Sequence, residues 1–485
     1  MIEPRISVLE QSTIERVLVE AYEVLATVGI KFGSDCSDEP LRLLAEAGAQ
    51  VDREKRVAWI PADLIDAARK TAPDRIPVYD LAGELRLDLT GDNVYYYPTS
   101  TGMTIWDAAA NRLRAPNSAD LLKYIKVAEG LPNCDAQSSA LYCHDVPGQV
   151  VDSYRNYLLL KYGSKPYVSG AYSAAGQQVQ IDLLQAWCGG AEALAARPCA
   201  VMTACPSPPL KWSYTADSVV LCARAMVPMG VGPMPLSGGT GPVTLIGTIV
   251  QHTAEALSGL VIAQLARLGA PILWMNPTSI FDMSEGTTPL GAIETQLLCL
   301  GTDAVAKYLR IPTLNYMGVS DSKMVDGQQS METTCGILLA ALGRSNLNGS
   351  LGMINFESGQ SYEGLVVSHE AVGMARRLIR GINVEMANLG SDLIRQVGHD
   401  GSFLETEHTM EWFRKEFYFP GIVDRQTEHA WRQAGAKDML SRATERVAEL
   451  VADYERPEHP EAKIRAVEEI MGRACAKHGL EQLPD

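Results

Sequence analysis

Apolar residues in the first ninety positions recur at helical spacing. Ile14, Val17, Leu18, Ala21, Leu25 and Ile30 share one face. Residues 40–46 and 61–70 predict two shorter helices, and Arg56-Val57-Ala58-Trp59-Ile60-Pro61 between them predicts a strand. Residues 1–90 are therefore expected to form a mainly helical front segment. From Val94 the rhythm changes. Apolar runs at 94–98, 136–143, 166–172, 198–205, 231–236, 271–276, 311–317 and 347–353 read as strands. Each precedes an amphipathic stretch, at 118–130, 150–162, 176–194, 214–226, 243–267, 289–309, 325–342 and 361–381. The 118–130 stretch illustrates the local logic. Asn117 is an N-cap, Asp120 suits the positive helix end, Leu121, Leu122, Ile125 and Ala128 share a face, and Gly130 with Pro132 ends the helix.

Eight strand–helix units predict an α/β chain whose catalytic domain, 91–382, is a (β/α)8 TIM barrel. The strands carry little charge, as parallel strands covered on both faces should. A doubly wound open sheet is the structural alternative, but no G-x-G-x-x-G follows a strand and no G-x-x-x-x-G-K-[ST] occurs. After about 383 the pattern becomes helical and charged, at 391–397, 406–417, 427–454 and 460–478. Residues 383–485 are expected to form a C-terminal helical extension that packs on the barrel or makes a homo-oligomer interface.

Charge and cysteine content narrow the classes. The 485 residues hold 42 Lys+Arg against 58 Asp+Glu, a net charge of −16. That balance lacks the basic excess needed for nucleic acid or an anionic membrane surface. Met1-Ile2-Glu3-Pro4-Arg5 does not open a basic-then-apolar leader, and the apolar region 257–275 is broken by Gln264, Arg267, Gly269 and Pro271. The ten cysteines form no C-x-x-C pair and read as reduced thiols. A cytoplasmic protein is expected.

A barrel of this kind carries its active site at the carboxyl ends of its strands. The loops there are rich in aromatic, hydroxyl and glycine residues. Zinc is one chemistry to weigh, since Cys143-His144-Asp145 ends one strand and Cys205 follows another. Adjacent strand residues point to opposite faces, so these cannot all ligate one ion, and no metal site is assigned. A nucleophile elbow G-x-S-x-G is absent. Of the histidines, His252 and His369 fall on helices, leaving His144 at a strand end. Recognition of a cation fits the loops better. A quaternary ammonium donates no strong hydrogen bond and needs aromatic faces with one or two carboxylates. Tyr97, Tyr172, Trp274, Phe281, Phe356 and Tyr362 lie at or near strand ends, and Asp321 and Glu357 supply negative charge. The loop Gly238-Gly239-Thr240-Gly241 allows close approach of a large planar ligand, or is simply a turn.

These loops, in this order, resemble the trimethylamine methyltransferase family. The similar stretches are GGTGPVTLIGTIVQHTAEALSGLVIAQL from Gly238, GVSDSKMVDGQQSMET from Gly318, GSLGMINFESGQSYEGLVVSHE from Gly349 and TEHTMEWFRKEFYFP from Thr406. KFGSDCSDEPLRLLAEAGAQVD from Lys31 is similar to the family's front segment. The resemblance implies an enzyme that delivers a methyl group from an amine to the Co(I) of a corrinoid (cobalamin) carried on a separate small protein, with no cofactor bound tightly to the chain itself. Family members acting on trimethylamine contain pyrrolysine, whose place falls near Val319. This chain has none. The resemblance therefore implies a quaternary amine, with glycine betaine first, and proline betaine or carnitine as alternatives. A zinc-dependent methanol or thiol methyltransferase and a non-catalytic betaine-binding protein are the other readings. Within the quaternary-amine reading Glu357 and Asp321 are the catalytic carboxylates. Tyr97, His144, Tyr172, Trp274, Asn276, Phe281, Phe356 and Lys323 bind substrate, and Gly238, Gly239 and Gly241 face the corrinoid.

Overall fold

The barrel strands are β1 (Tyr95–Pro98), β2 (Gln137–Ser138), β3 (Tyr167–Gly170), β4 (Ala200–Ala204), β5 (Met229–Val231), β6 (Ile272–Asn276), β7 (Thr313–Asn315) and β8 (Leu347–Leu351). They appear in a computed structural model that describes residues 3–98, 101–385 and 389–480. All pair in parallel in the order β1-β8-β7-β6-β5-β4-β3-β2. The ring closes between β1 and β2 through Asp135. Its N–H donates to Tyr96 O at 2.8 Å and its carboxylate accepts from Tyr96 N at 2.8 Å. Arg376 holds that carboxylate from outside with two bonds of 2.6 and 2.8 Å. The chain is thus a (β/α)8 barrel.

Each strand is followed by a helix: α1 (Ser118–Glu129), α2 (Val151–Tyr162), α3 (Ala174–Cys188), α4 (Thr215–Ala225), α5 (Leu245–Ala266), α6 (Ile293–Tyr308), α7 (Gly327–Leu342) and α8 (Tyr362–Ile379). The start of α1 is a capping box, with Asn117 Oδ1 accepting from Asp120 N at 3.0 Å and Asp120 returning the bond at 2.9 Å. Helix α5 is long and apolar enough to cross a membrane by composition, yet most of its surface is buried between the barrel and the N-terminal helices Gln11–Thr27 and Ala62–Thr71.

Strand alternation decides what fills the lumen. Tyr97, Ala136, Val168, Val201, Leu273, Met275, Leu314, Tyr316 and Leu347 point inward and pack as one cluster. Their neighbours Tyr96, Met202, Val231 and Trp274 point outward into the helix layer. The amino-terminal end of the lumen is plugged by an antiparallel hairpin, Arg75–Tyr79 with Leu85–Thr90. Its Ile76, Val78, Leu87 and Leu89 complete the inner cluster. The front segment therefore holds more strand than its sequence suggests, since Ile30–Phe32, Gln50–Asp52 and Val57–Trp59 also form a small sheet. In the tail, Met439–Ala452 packs on α8 and α1, and Glu461–Lys477 on α3 and α2. The expected 427–454 helix is split by the turn at Gly435 (φ +95°) into Glu428–Gln433 and Met439–Ala452.

Candidate active site

With the amino-terminal end plugged, the carboxyl ends of the strands form the mouth. There β8 runs on into a second hairpin, Met353–Ile354 with Gly359–Gln360. Its turn is Asn355-Phe356-Glu357-Ser358. The first three residues all have positive φ, at 53°, 55° and 65°. Three consecutive non-glycine residues in the left-handed region cost on the order of 1 kcal/mol each or more, so neighbouring structure must impose the conformation. It does so from two sides. Asn355 N donates to Ser322 O at 2.7 Å, and Gly359–Gln360 pairs with Thr104–Ile105. The turn sets the Glu357 carboxylate so that its charge acts on Tyr97 and Cys205, and on Cys299 in the helix layer.

Tyr97 is fully buried. Its ring lies against Gly349 of β8, where a Cβ would come within 2.7 Å of Tyr97 Cζ. Burial and the Glu357 charge hold the Tyr97 hydroxyl protonated, well above the ordinary phenol range. The neighbouring Tyr316 hydroxyl donates to Met275 Sδ at 3.5 Å. Cys205, which continues the inward register of β4, is exposed but sits deep among protein atoms. Burial and Glu357 push its thiol up to about 12. It is a neutral thiol at physiological pH. Among the described residues no three His, Cys, Asp or Glu side chains gather as metal ligands.

The opposite rim is built by α2. Asp152, nearly buried, accepts from Tyr172 N at 3.0 Å. One turn on, the fully buried Arg155 donates from Nη1 to Ser139 O (2.8 Å) and Thr101 Oγ1 (2.9 Å), with its guanidinium 5.0 Å from the centre of the Tyr172 ring. The Tyr172 hydroxyl donates to the same Thr101 oxygen at 3.2 Å. Tyr172 is 38% exposed. Tyr142 packs against Tyr172 at 5.8 Å and against His144 at 4.9 Å. His144 itself is exposed, 3.1 Å from Met103 O. Phe356 lies under the Lys323 ammonium at 4.0 Å, and that ammonium donates to Asp321 O at 2.9 Å.

Several sequence-predicted residues sit elsewhere. Trp274 and Asn276 alternate with the inward Leu273 and Met275, so both point into the helix layer. Trp274 packs beside His252 at 5.7 Å, and Asn276 donates to Asp303 of α6. Neither reaches the lumen. Asp321 accepts from Leu290 N and Gly291 N, both at 2.9 Å. Burial, with Glu332 close by, raises its carboxyl to about 6. It fixes the β6 loop. The glycine loop is closed on itself: Gly239, Thr240 and Gly241 all donate to Leu236 O, and Gly238 to Gly241 O. Its N–H groups are consumed and cannot cradle a ligand anion. Gly238 packs on Met283, and Gly239 on the half-buried Phe281. Val319 is buried with Leu290 and Met353. Sequence reasoning missed Arg155, Thr101 and Tyr316. The signal for Arg155 was the polar run Asp152-Ser153-Tyr154-Arg155-Asn156 opening a helix that is buried almost throughout.

The sequence matches the description "Trimethylamine methyltransferase (MTTB)" over residues 2–479. The chain belongs to this family. A trimethylamine methyltransferase MttB of Desulfitobacterium hafniense is 29% identical over 459 residues, covering 94% of this chain and 92% of the relative. One from Methanosarcina thermophila is 29% identical, covering 89% and 90%. A glycine betaine methyltransferase of Desulfitobacterium hafniense is 25% identical, covering 94% of each chain. The crystal structure of the Methanosarcina barkeri monomethylamine methyltransferase MtmB superposes with a TM-score of 0.55 at 12% identity, over 98% of this chain and 89% of that one. That likeness supports the family's barrel fold in this chain.

Proposed function

We propose that this methyltransferase-family enzyme moves a methyl group from a quaternary amine, glycine betaine first among them, to the Co(I) of a cytosolic corrinoid protein, releasing dimethylglycine. The observation that carries the reading is Glu357: a carboxylate held by a strained turn over a lumen lined by Tyr97, Tyr316 and Cys205. Anionic charge above aromatic rings suits a substrate cation that donates no hydrogen bond.

Chemistry favours a quaternary substrate. In-line attack of Co(I) on one methyl carbon breaks that C–N bond, and the bonding pair stays on nitrogen. The leaving group is then a neutral tertiary amine, which needs no proton and no covalent adduct. The chain lacks pyrrolysine, and such a substrate does not require it. The residues' task is to orient the cation and exclude water. Orientation contributes on the order of 7–11 kcal/mol in favourable cases. Positive charge leaves the nitrogen as the methyl departs, so a cage of modest strength serves better than one that traps the ground state. Lys323, exposed at the rim above Phe356, is the residue proposed to meet the substrate carboxylate.

The test is anaerobic incubation with cob(I)alamin and glycine betaine, with the amine product identified by NMR. Dimethylglycine in equal amount to methylated cobalamin is the expected result. Betaine binding without any product, even with the corrinoid protein supplied, would assign the chain to binding rather than catalysis.

A further inference from the structure

Away from the mouth, two cysteines meet at the junction of the barrel and the last helix. Cys188 closes α3 and Cys199 precedes β4, and their sulfurs are 3.8 Å apart. Cys199 is almost fully buried, whereas Cys188 is partly accessible. The pair forms part of the wall of a cavity of about 320 Å³ that also includes Asp80, Gly83, Trp187, Arg197 and Lys463. Two features make Cys188 the reactive partner. The two thiols are hydrogen-bonded to each other, and the Lys463 ammonium lies close to the more accessible Cys188, so the Cys188 thiol is held below the ordinary range. Cys199, desolvated and paired to Cys188, is held above it. The backbone just after Cys188 is Gly189-Gly190, both at positive φ, so no side chain there hinders a small shift of the sulfur.

We propose that Cys188 and Cys199 form a peroxide-reactive dithiol site, in which hydrogen peroxide entering this cavity converts the two thiols to an intramolecular disulfide. The Cys188 thiolate attacks one peroxide oxygen and breaks the O–O bond, giving a sulfenic acid and water once the departing oxygen gains a proton. The Cys199 sulfur then attacks the Cys188 sulfur and displaces hydroxide. That hydroxide takes the Cys199 proton and leaves as a second water. Two thiols are oxidised and one peroxide is reduced. A sulfur pair in contact, one sulfur accessible and the other resolving from beneath, is the arrangement this sequence of steps needs. The bond would tie the end of α3 to the start of β4, beneath Trp187. The Trp187 ring packs against His459 at 4.8 Å and lies 5.1 Å from the Lys463 ammonium, so the link would stand where the last helix docks.

The test uses the full chain, reduced, freed of reductant without air and treated briefly with a small excess of hydrogen peroxide. Free thiols are then alkylated and the peptides mapped by mass spectrometry. The expected result is a linked 188–199 species two hydrogens lighter than the dithiol, formed before any change at Cys205 and reversed by dithiothreitol. In C199S the link is lost, and Cys188 accumulates as a sulfenic acid trapped by dimedone. The wild-type map alone decides the matter if the variant fails to fold. Free Cys188 and Cys199 after other thiols have reacted would overturn the proposal. So would oxidation of Cys188 to sulfinic acid with no link.

Discussion

Glu357 occupies a backbone conformation that its own side chain disfavours, and two neighbouring loops hold it there. Such a turn is retained where the placement of one group matters more than local stability. In E357Q the shape stays and the charge goes. Loss of a charged interaction of about 1.5–3 kcal/mol predicts a drop in kcat/KM for methyl transfer of about 10- to 100-fold, with Tm unchanged. Unchanged turnover would remove Glu357 from the site. Trp274 makes the opposite case. It is buried in the helix layer, so W274A is expected to cost about 3–5 kcal/mol of stability and leave the substrate affinity of the folded fraction intact. Denaturant unfolding beside a substrate titration separates the two effects. Aromatic and polar residues at strand ends were legible in the sequence, but their facing was not. A shift of one residue in register moves Trp274 and Asn276 from lumen to helix layer, and composition carries no record of that choice.

Most of the barrel's strands and helices follow the apolar runs and amphipathic stretches of the sequence, because each parallel strand is covered on both faces and each helix on one, but β5 is Met229–Val231 where 231–236 is expected, and β2 is only Gln137–Ser138 of the expected 136–143. The lumen plug was harder to see. Ile76, Val78, Leu87 and Leu89 alternate as strands do, but Pro77 and the charged residues of 84–88 break the apolar run, and the partner surface is the barrel itself. The loop after β4 depends on a similarly hidden contact. Glu255 of α5 is fully buried and accepts from Leu210 N at 2.7 Å, where Leu210 has positive φ. Burial raises its carboxyl from 4.5 to about 7. The folded chain therefore holds this proton more tightly than the unfolded chain. The stability tied to it is complete below about pH 4.5 and is lost as pH rises through about 7. E255Q keeps the acceptor and removes the titration. Its Tm should match the wild type near pH 4.5 and exceed it increasingly up to pH 8, by at most about 3 kcal/mol in stability. A parallel pH dependence in the two proteins would show that Glu255 does not titrate there.

At the scale of the molecule, the plug fills the amino-terminal end of the lumen and the tail packs on the outer helices, leaving the carboxyl ends of the strands to their loops. Those loops carry Glu357, the carboxylate whose charge reaches the lumen residues Tyr97 and Cys205. The tail divides in two: Met439–Ala452 and Glu461–Lys477 bury residues against the barrel, while Ser391–Val397 and Glu407–Glu416 bury none. Fold and family were legible because several loop segments match in order along most of the chain. The substrate was not. The family includes relatives named for trimethylamine and for glycine betaine at similar identity, 29% and 25%. Turnover decides between them. Methylation of cob(I)alamin by glycine betaine and by trimethylamine, followed anaerobically by absorbance with the corrinoid protein present, should proceed with the betaine and stay at background with trimethylamine. Turnover of trimethylamine with none from any quaternary amine would contradict the assignment of a quaternary substrate.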